Sequence, residues 1–263
     1  MLAAMTDLIL VQRSGAIATV VLNRPDKLNA MSKPMWLALA SAMDTLSADE
    51  SIRCVVLRGA GEKAFCPGAD IGEFENERSD STQAADYGRV VHAAITSLRS
   101  CRHPLVAQIH GLCVGGGLLL ASLCDIRICG ASSRFGVPVK NLGLVEAYAE
   151  MEPLVRLAGA DAALEILLEG RIFGAAEARE KRLVTRFVPD AEVAAEVLAC
   201  AQRIAEGAPL VARWHKKFAR RLADPRPVTE AENRESFACF DTEDFRLGRA
   251  AFLAKEKPVF VGR

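Results

Sequence analysis

Two glycine-bearing segments constrain this chain more than any other feature. They are Ala64-Phe65-Cys66-Pro67-Gly68-Ala69-Asp70-Ile71 and His110-Gly111-Leu112-Cys113-Val114-Gly115-Gly116-Gly117. Each reads as a buried strand running into a tight turn that opens a helix. Such a turn leaves backbone N–H groups unpaired and pointing outward. Two of these turns side by side aim two N–H donors at one point. That is the construction of an oxyanion hole, which stabilises charge developing on a carbonyl oxygen. One such donor is worth about 2.7–4 kcal/mol of reaction barrier. No side chain takes part, so glycine serves there because bulk would block close approach to the backbone.

At 263 residues the chain is long enough to bury a large core. Its hydrophobic content of 51% and charged content of 25% are those of a globular protein. A formal net charge of +0 gives no electrostatic drive toward nucleic acid or a membrane surface. The eight cysteines show no paired zinc spacing and sit mostly in apolar surroundings, so no metal site is expected. A reducing compartment, the cytoplasm, fits them better than a disulfide framework. Met1 to Asp7 lacks a basic segment followed by a long apolar run, so no signal peptide is expected.

The pattern along the chain is α/β with a helical tail. Leu8 to Val11 and Ala16 to Leu22 read as strands around a turn at Ser14-Gly15. Ser32 and Pro34 open a helix running to about Leu46. Ile52 to Leu57 is an apolar, β-branched run suited to a buried parallel strand. Glu73 to Thr82 is polar and reads as a mobile loop, followed by a helix to about Leu98. Strands at Leu105 to Ile109 and Ile126 to Cys129 flank a short buried helix, Leu118 to Leu123. Beyond Ala160 the spacing is helical over Asp161–Leu168, Ala175–Arg182, Glu192–Glu206 and Leu210–Ala223, with one strand-like run at Val184–Val188. A last helical stretch, Glu230–Ala254, is interrupted near Asp241 to Asp244.

Four segments in order carry a family resemblance: Leu22-Asn23-Arg24-Pro25-Asp26-Lys27-Leu28-Asn29-Ala30, the Gly-Ala-Asp-Ile turn, His110-Gly through Gly115-Gly-Gly-Leu to Cys124-Asp125-Ile126, and Ala251 to Phe260. Together they resemble the crotonase (enoyl-CoA hydratase/isomerase) superfamily over almost the whole chain. The resemblance implies a ββα spiral of stacked sheets over residues 1–200, which would bind acyl-CoA. It implies a helical region over 201–263 that assembles a homotrimer or a dimer of trimers. It also implies a coenzyme A thioester as substrate, with no permanently bound cofactor. The N–H groups of Ala69 and Gly116 would be the oxyanion-hole donors, flanked by Gly68 and Gly115. Arg24, Lys27 and Leu28 lie in the segment that the family places near the nucleotide. The backbone from Ala69 through Asp70 to Ile71 would line the adenine slot. Lys257 and Phe260 resemble residues that close over the cofactor, in some members from a neighbouring subunit.

The departures from the family bear on the reaction. Typical hydratases carry two glutamates that hold and activate water; the matching residues here are Leu119 and Val139. Neither can transfer a proton, and both suggest an apolar pocket wall. The nominal activity is enoyl-CoA hydration. Glu146, among Val145, Ala147 and Tyr148, is the replacement acid or base, with burial able to raise its pKa. It would support isomerisation, hydrolysis, decarboxylation or retro-aldol cleavage. A catalytically silent acyl-CoA-binding protein is the reading from another class. Glu150 reads as a surface residue, Tyr148 as packing with a satisfied hydroxyl, and Cys66 and Cys113 as small packing residues. Glu73 and Tyr87 are placed to swing over the acyl chain.

Overall fold

The computed structural model describes residues 8–263; the reading of Met1 to Asp7 lies outside the described residues. Ten strands form two sheets. The larger has the order β1 (Ile9–Ser14), β2 (Ile17–Leu22), β3 (Cys54–Gly59), β5 (Leu105–Ile109), β7 (Ile126–Gly130) and β10 (Arg186–Val188). Only β1 and β2 are antiparallel, joined at the expected Ser14-Gly15 turn. The smaller sheet has the order β4 (Ala64–Cys66), β6 (Leu112–Val114), β8 (Arg134–Gly136) and β9 (Phe173–Gly174). The helices are α1 (Lys33–Ala48), α2 (Phe74–Glu77), α3 (Ser81–Ser100), α4 (Gly116–Ser122), α5 (Tyr148–Ala158), α6 (Ala160–Glu169), α7 (Ala175–Glu180), α8 (Val193–Ala205), α9 (Pro209–Arg221), α10 (Glu230–Glu235) and α11 (Glu243–Ala254).

The continuous apolar runs of the central strands follow from burial on both faces. Side chains alternate across the sheet. Val55 and Leu57 of β3, with Leu105, Ala107 and Ile109 of β5, enter the main core beneath α1 and α3. Cys54, Val56 and Val106 point the other way and pack against Val193, Val197, Cys200 and Ala201 of α8. Both faces are therefore covered, as a parallel sheet requires. All eight cysteines are unpaired, and seven are buried.

The stretch from Glu73 to Thr82 differs from the expected mobile loop. A 3₁₀ turn at Ile71–Glu73 leads into α2, and α3 begins at Ser81. One local cap and one long-range anchor fix it. The Asp80 carboxylate accepts the N–H groups of Thr82 and Gln83, each at 2.9 Å, and caps α3. Glu73 accepts the Lys33 N–H at 2.9 Å, and Glu77 pairs with the Lys33 ammonium, tying the segment to the start of α1. Charge here marks anchoring rather than mobility. The interruption before α11 is a 3₁₀ turn at Ala238–Asp241, and Thr242 caps the new helix by accepting the Phe245 N–H.

The small sheet positions the two glycine turns. β4 and β6 are parallel neighbours, with Ala64 opposite Leu112 and Cys66 opposite Cys113, so their turns leave the same end side by side. α4 then crosses close to β4. A Cβ on Gly117 would stand 2.0 Å from the Cys66 carbonyl oxygen, inside any tolerable contact. Glycine is therefore required at 117 for packing, whereas a Cβ on Gly116 would meet the Trp36 ring at an ordinary 3.5 Å. Gly117→Ala is expected to lower folding stability by about 1–3 kcal/mol, the usual cost of overpacking, while Gly116→Ala leaves it nearly unchanged. Urea denaturation of the two variants checks this, and equal midpoints would contradict it.

Candidate functional site

The site is built where the two glycine turns meet. Gly115 has φ +52°, a conformation open to glycine, and its N–H donates to the Gly136 carbonyl at 2.9 Å. Gly116 then opens α4, and its N–H has no acceptor within the protein among the described residues. In the other turn, the Met31 N–H donates to Gly68 O at 2.8 Å and the Asp70 N–H donates to Met31 O at 2.9 Å. This short parallel bridge grips the residues on either side of Ala69 and leaves the Ala69 N–H unused. The turns touch: a methyl group placed on Gly68 would stand 3.5 Å from Gly116 N.

A cavity of about 330 Å³ opens over this junction. Its wall includes Gly68, Ala69, Ile71, Gly115 and Gly116 from the turns. Leu119, Val139 and Glu146 line it as well, so the structure gathers these expected residues around one space. Trp36 and Val91 add apolar surface. Three charged groups face the cavity: Glu146, Glu150 and Arg78. The Arg78 guanidinium lies 3.8 Å from the Tyr87 ring centroid and 4.9 Å from that of Phe74, a cation–π arrangement.

Burial pushes the Glu146 carboxyl up to about 8, assisted by the negative charge and hydrogen bond of Glu150 and opposed by Arg78. Its proton therefore moves near neutral pH, as general acid–base work requires. Glu150 is not the surface residue expected from its neighbours. It stands in the first turn of α5 and lines the same cavity as Glu146, which lies ahead of the helix. Arg78 gave no signal in the sequence, because its place depends on the folded course of the segment around α2.

Tyr148 is 93% exposed, so it does not pack as expected. It shares the opposite face of α5 with Glu152, Val155 and Arg156. Glu73 serves the N-terminus of α1, and the Tyr87 hydroxyl reaches it at 3.4 Å from a core position. Cys66 and Cys113 are fully buried; desolvation pushes the Cys66 thiol up to about 12 and raises that of Cys113 well above its ordinary value, which leaves both unreactive.

The residues expected on the nucleotide side divide into two groups. Arg24 joins Asp70 at 2.7 Å, and this hydrogen bond to the guanidinium holds the Asp70 carboxyl below its usual range. The pair ties the Arg24–Asn29 loop to the Gly68–Asp70 turn. Asn29, buried in that loop, accepts the Arg24 N–H and donates to the carbonyls of Ala60 and Ala64. Lys27 and Leu28 are exposed on the same loop. Lys257 and Phe260 do not line the cavity within one chain. Lys257 meets Glu206 at 3.0 Å, and the Phe260 carbonyl accepts from Arg53 at 2.6 Å.

The sequence model of the enoyl-CoA hydratase/isomerase family matches residues 12–263. A probable enoyl-CoA hydratase of Rhizobium meliloti is 34% identical over 263 residues, covering 98% of this chain and 99% of the relative. A crotonyl-CoA hydratase of Syntrophomonas wolfei is 29% identical over 258 residues, covering 97% and 98%. Among solved structures, an enoyl-CoA hydratase/carnithine racemase from Magnetospirillum magneticum superposes with a TM-score of 0.97 at 55% identity, covering 98% of this chain and 97% of that one. The chain belongs to the enoyl-CoA hydratase/isomerase family and has the crotonase fold.

A carboxyl whose pKa is raised by folding stabilises the protein fully while protonated in both states. That contribution is lost as pH rises through the folded value, about 8 for Glu146. Wild-type protein should therefore lose thermal stability relative to Glu146→Gln between about pH 5 and about pH 9. Parallel melting curves of the two across that range would argue against the burial described.

Proposed function

We propose that this chain is an acyl-CoA enzyme that holds a thioester carbonyl between the N–H groups of Ala69 and Gly116 and moves a proton at the neighbouring carbon with Glu146. The observation that carries the reading is the shared cavity: two unused N–H donors and one carboxyl of raised pKa face it together. The ionised Glu146 takes a proton from the α- or γ-carbon. The electron pair moves onto the thioester oxygen, where both N–H groups stabilise the enolate. Returning the proton to the other carbon shifts the double bond, which is isomerisation. The same enolate step also serves decarboxylation and retro-aldol cleavage.

This reading stands ahead of hydration because the positions that usually hold water are the apolar Leu119 and Val139. Their apolar wall suits an apolar acyl chain. Coenzyme A would lie along Arg24, Lys27, Leu28 and the Gly68–Ile71 backbone, with cationic groups meeting its phosphates. Lys257 and Phe260 would reach a cofactor only from a neighbouring copy. Exposed Phe237, Phe240, Phe252, Leu253 and Val259 near the C-terminus support an assembly, a homotrimer or a dimer of trimers. Sedimentation equilibrium should give a multiple of three chains, and a monomer at micromolar concentration would end that part of the reading.

The central test incubates crotonyl-CoA and butyryl-CoA with the protein in heavy water and follows both by mass spectrometry. Deuterium is expected to enter the acyl carbons without addition of water. Glu146→Gln should slow its entry by about 10²–10⁴-fold. Ala69→Pro removes an N–H that the fold does not use and should cost about 10²–10³-fold, with thioester binding retained. Water addition that survives Glu146→Gln would replace this reading with hydration. Saturable binding without any exchange would leave an acyl-CoA-binding protein.

A further inference from the structure

We infer that Glu150 and His92 form, with Glu146, a path that carries protons between the acyl cavity and the protein surface; this rests on the proton-transfer reading above. Glu146 and Glu150 stand four residues apart and face the same space. Both also line a second, very small cavity walled by Leu118, Leu119, Val137, Met151 and Leu154. The Glu150 side chain hydrogen-bonds with that of Glu146, which gives a proton a direct route from one carboxyl to the other. On its other side, Glu150 Oε1 lies 3.5 Å from His92 Nε2 on α3. That nitrogen is itself buried and has no hydrogen-bond partner, although 39% of the His92 side chain is exposed. The three groups thus run in sequence from the cavity to solvent.

The surroundings make this order consequential. α4 and the segment after β8 present apolar side chains to the glutamates, and Arg78 is the other charged group facing Glu146. A base enclosed in this way either returns its captured proton to the substrate or passes it outward through a titratable neighbour. Glu150 can take the Glu146 proton across their shared hydrogen bond. His92 can take it from Glu150 when the 3.5 Å gap closes to hydrogen-bond length, and then release it to water. No net charge or bond is created: one proton moves from carbon to solvent, and one returns by the same route. Glu150 and His92 act through Glu146 and are positioning residues.

The test uses butyryl-CoA deuterated at the α-carbon and follows loss of label to water across pH. For Glu150→Gln, removal of the neighbouring negative charge should move the acid limb of the exchange profile to lower pH by about one unit or more. For His92→Ala, label loss should fall several-fold and recover on addition of imidazole, while thioester binding stays unchanged. An acid limb that does not move, or label loss in His92→Ala equal to that of wild type, overturns the path. Wild-type protein that binds the thioester and never loses label overturns the proton-transfer reading, and the path with it. Label loss in wild type with both variants unaffected removes the path alone.

Discussion

The parallel pairing of β4 with β6 governs the geometry of this molecule. Only three residues long each, the two strands set Cys66 opposite Cys113 and bring two chain reversals to one sheet end. The close crossing of α4 over the Cys66 carbonyl, with no room for a Cβ at Gly117, then fixes where the N-terminus of α4 points. The Met31 bridge does the same for the other turn from the side of α1. Three backbone constraints from distant parts of the sequence therefore converge on two peptide N–H groups. Backbone donors held in this way need no reorganisation when charge develops beside them.

The cavity wall balances that donor pair with a different kind of chemistry. Leu119, Val139, Trp36 and Val91 make it apolar, which raises the cost of ionising any carboxyl placed there. Glu146 accepts that cost only in part, because Glu150 adds repulsion and Arg78 relieves some of it. The two apolar replacements and the raised carboxyl thus belong to one arrangement. A glutamate in place of Leu119 or Val139 would bring a third carboxyl into the same small space.

The turns were legible from sequence because glycine runs after short apolar strands have few physical alternatives. The central strands were legible because continuous apolar runs such as Cys54-Val55-Val56-Leu57 are what double burial demands. The family resemblance supplied what periodicity could not: the crotonase arrangement of the sheets. Polar local sequence misled where long-range contacts decide. The residues from Glu73 to Thr82 look like a solvated loop, yet Lys33, some forty residues earlier, anchors them. The start of α11 likewise depends on its tail: buried Asp244 accepts the N–H groups of Val261 and Gly262. No window around Asp244 contains those partners.

Glu150 shows the same limit inside the site. Its neighbours Ala149, Met151 and Glu152 give no reason to place a carboxylate in a cavity, and isolated glutamates are usually solvated. What places it there is the phase of α5, fixed by Leu154 and Pro153 entering the core on one side. Glu146 itself lies ahead of the helix, and the course of the segment between Gly143 and Tyr148 brings its carboxyl to the same cavity. Because both are acids, the second changes the first: the charge and hydrogen bond of Glu150 add to burial in raising the Glu146 pKa. The raised pKa of Glu146 therefore comes from tertiary placement, a property that neither residue carries alone.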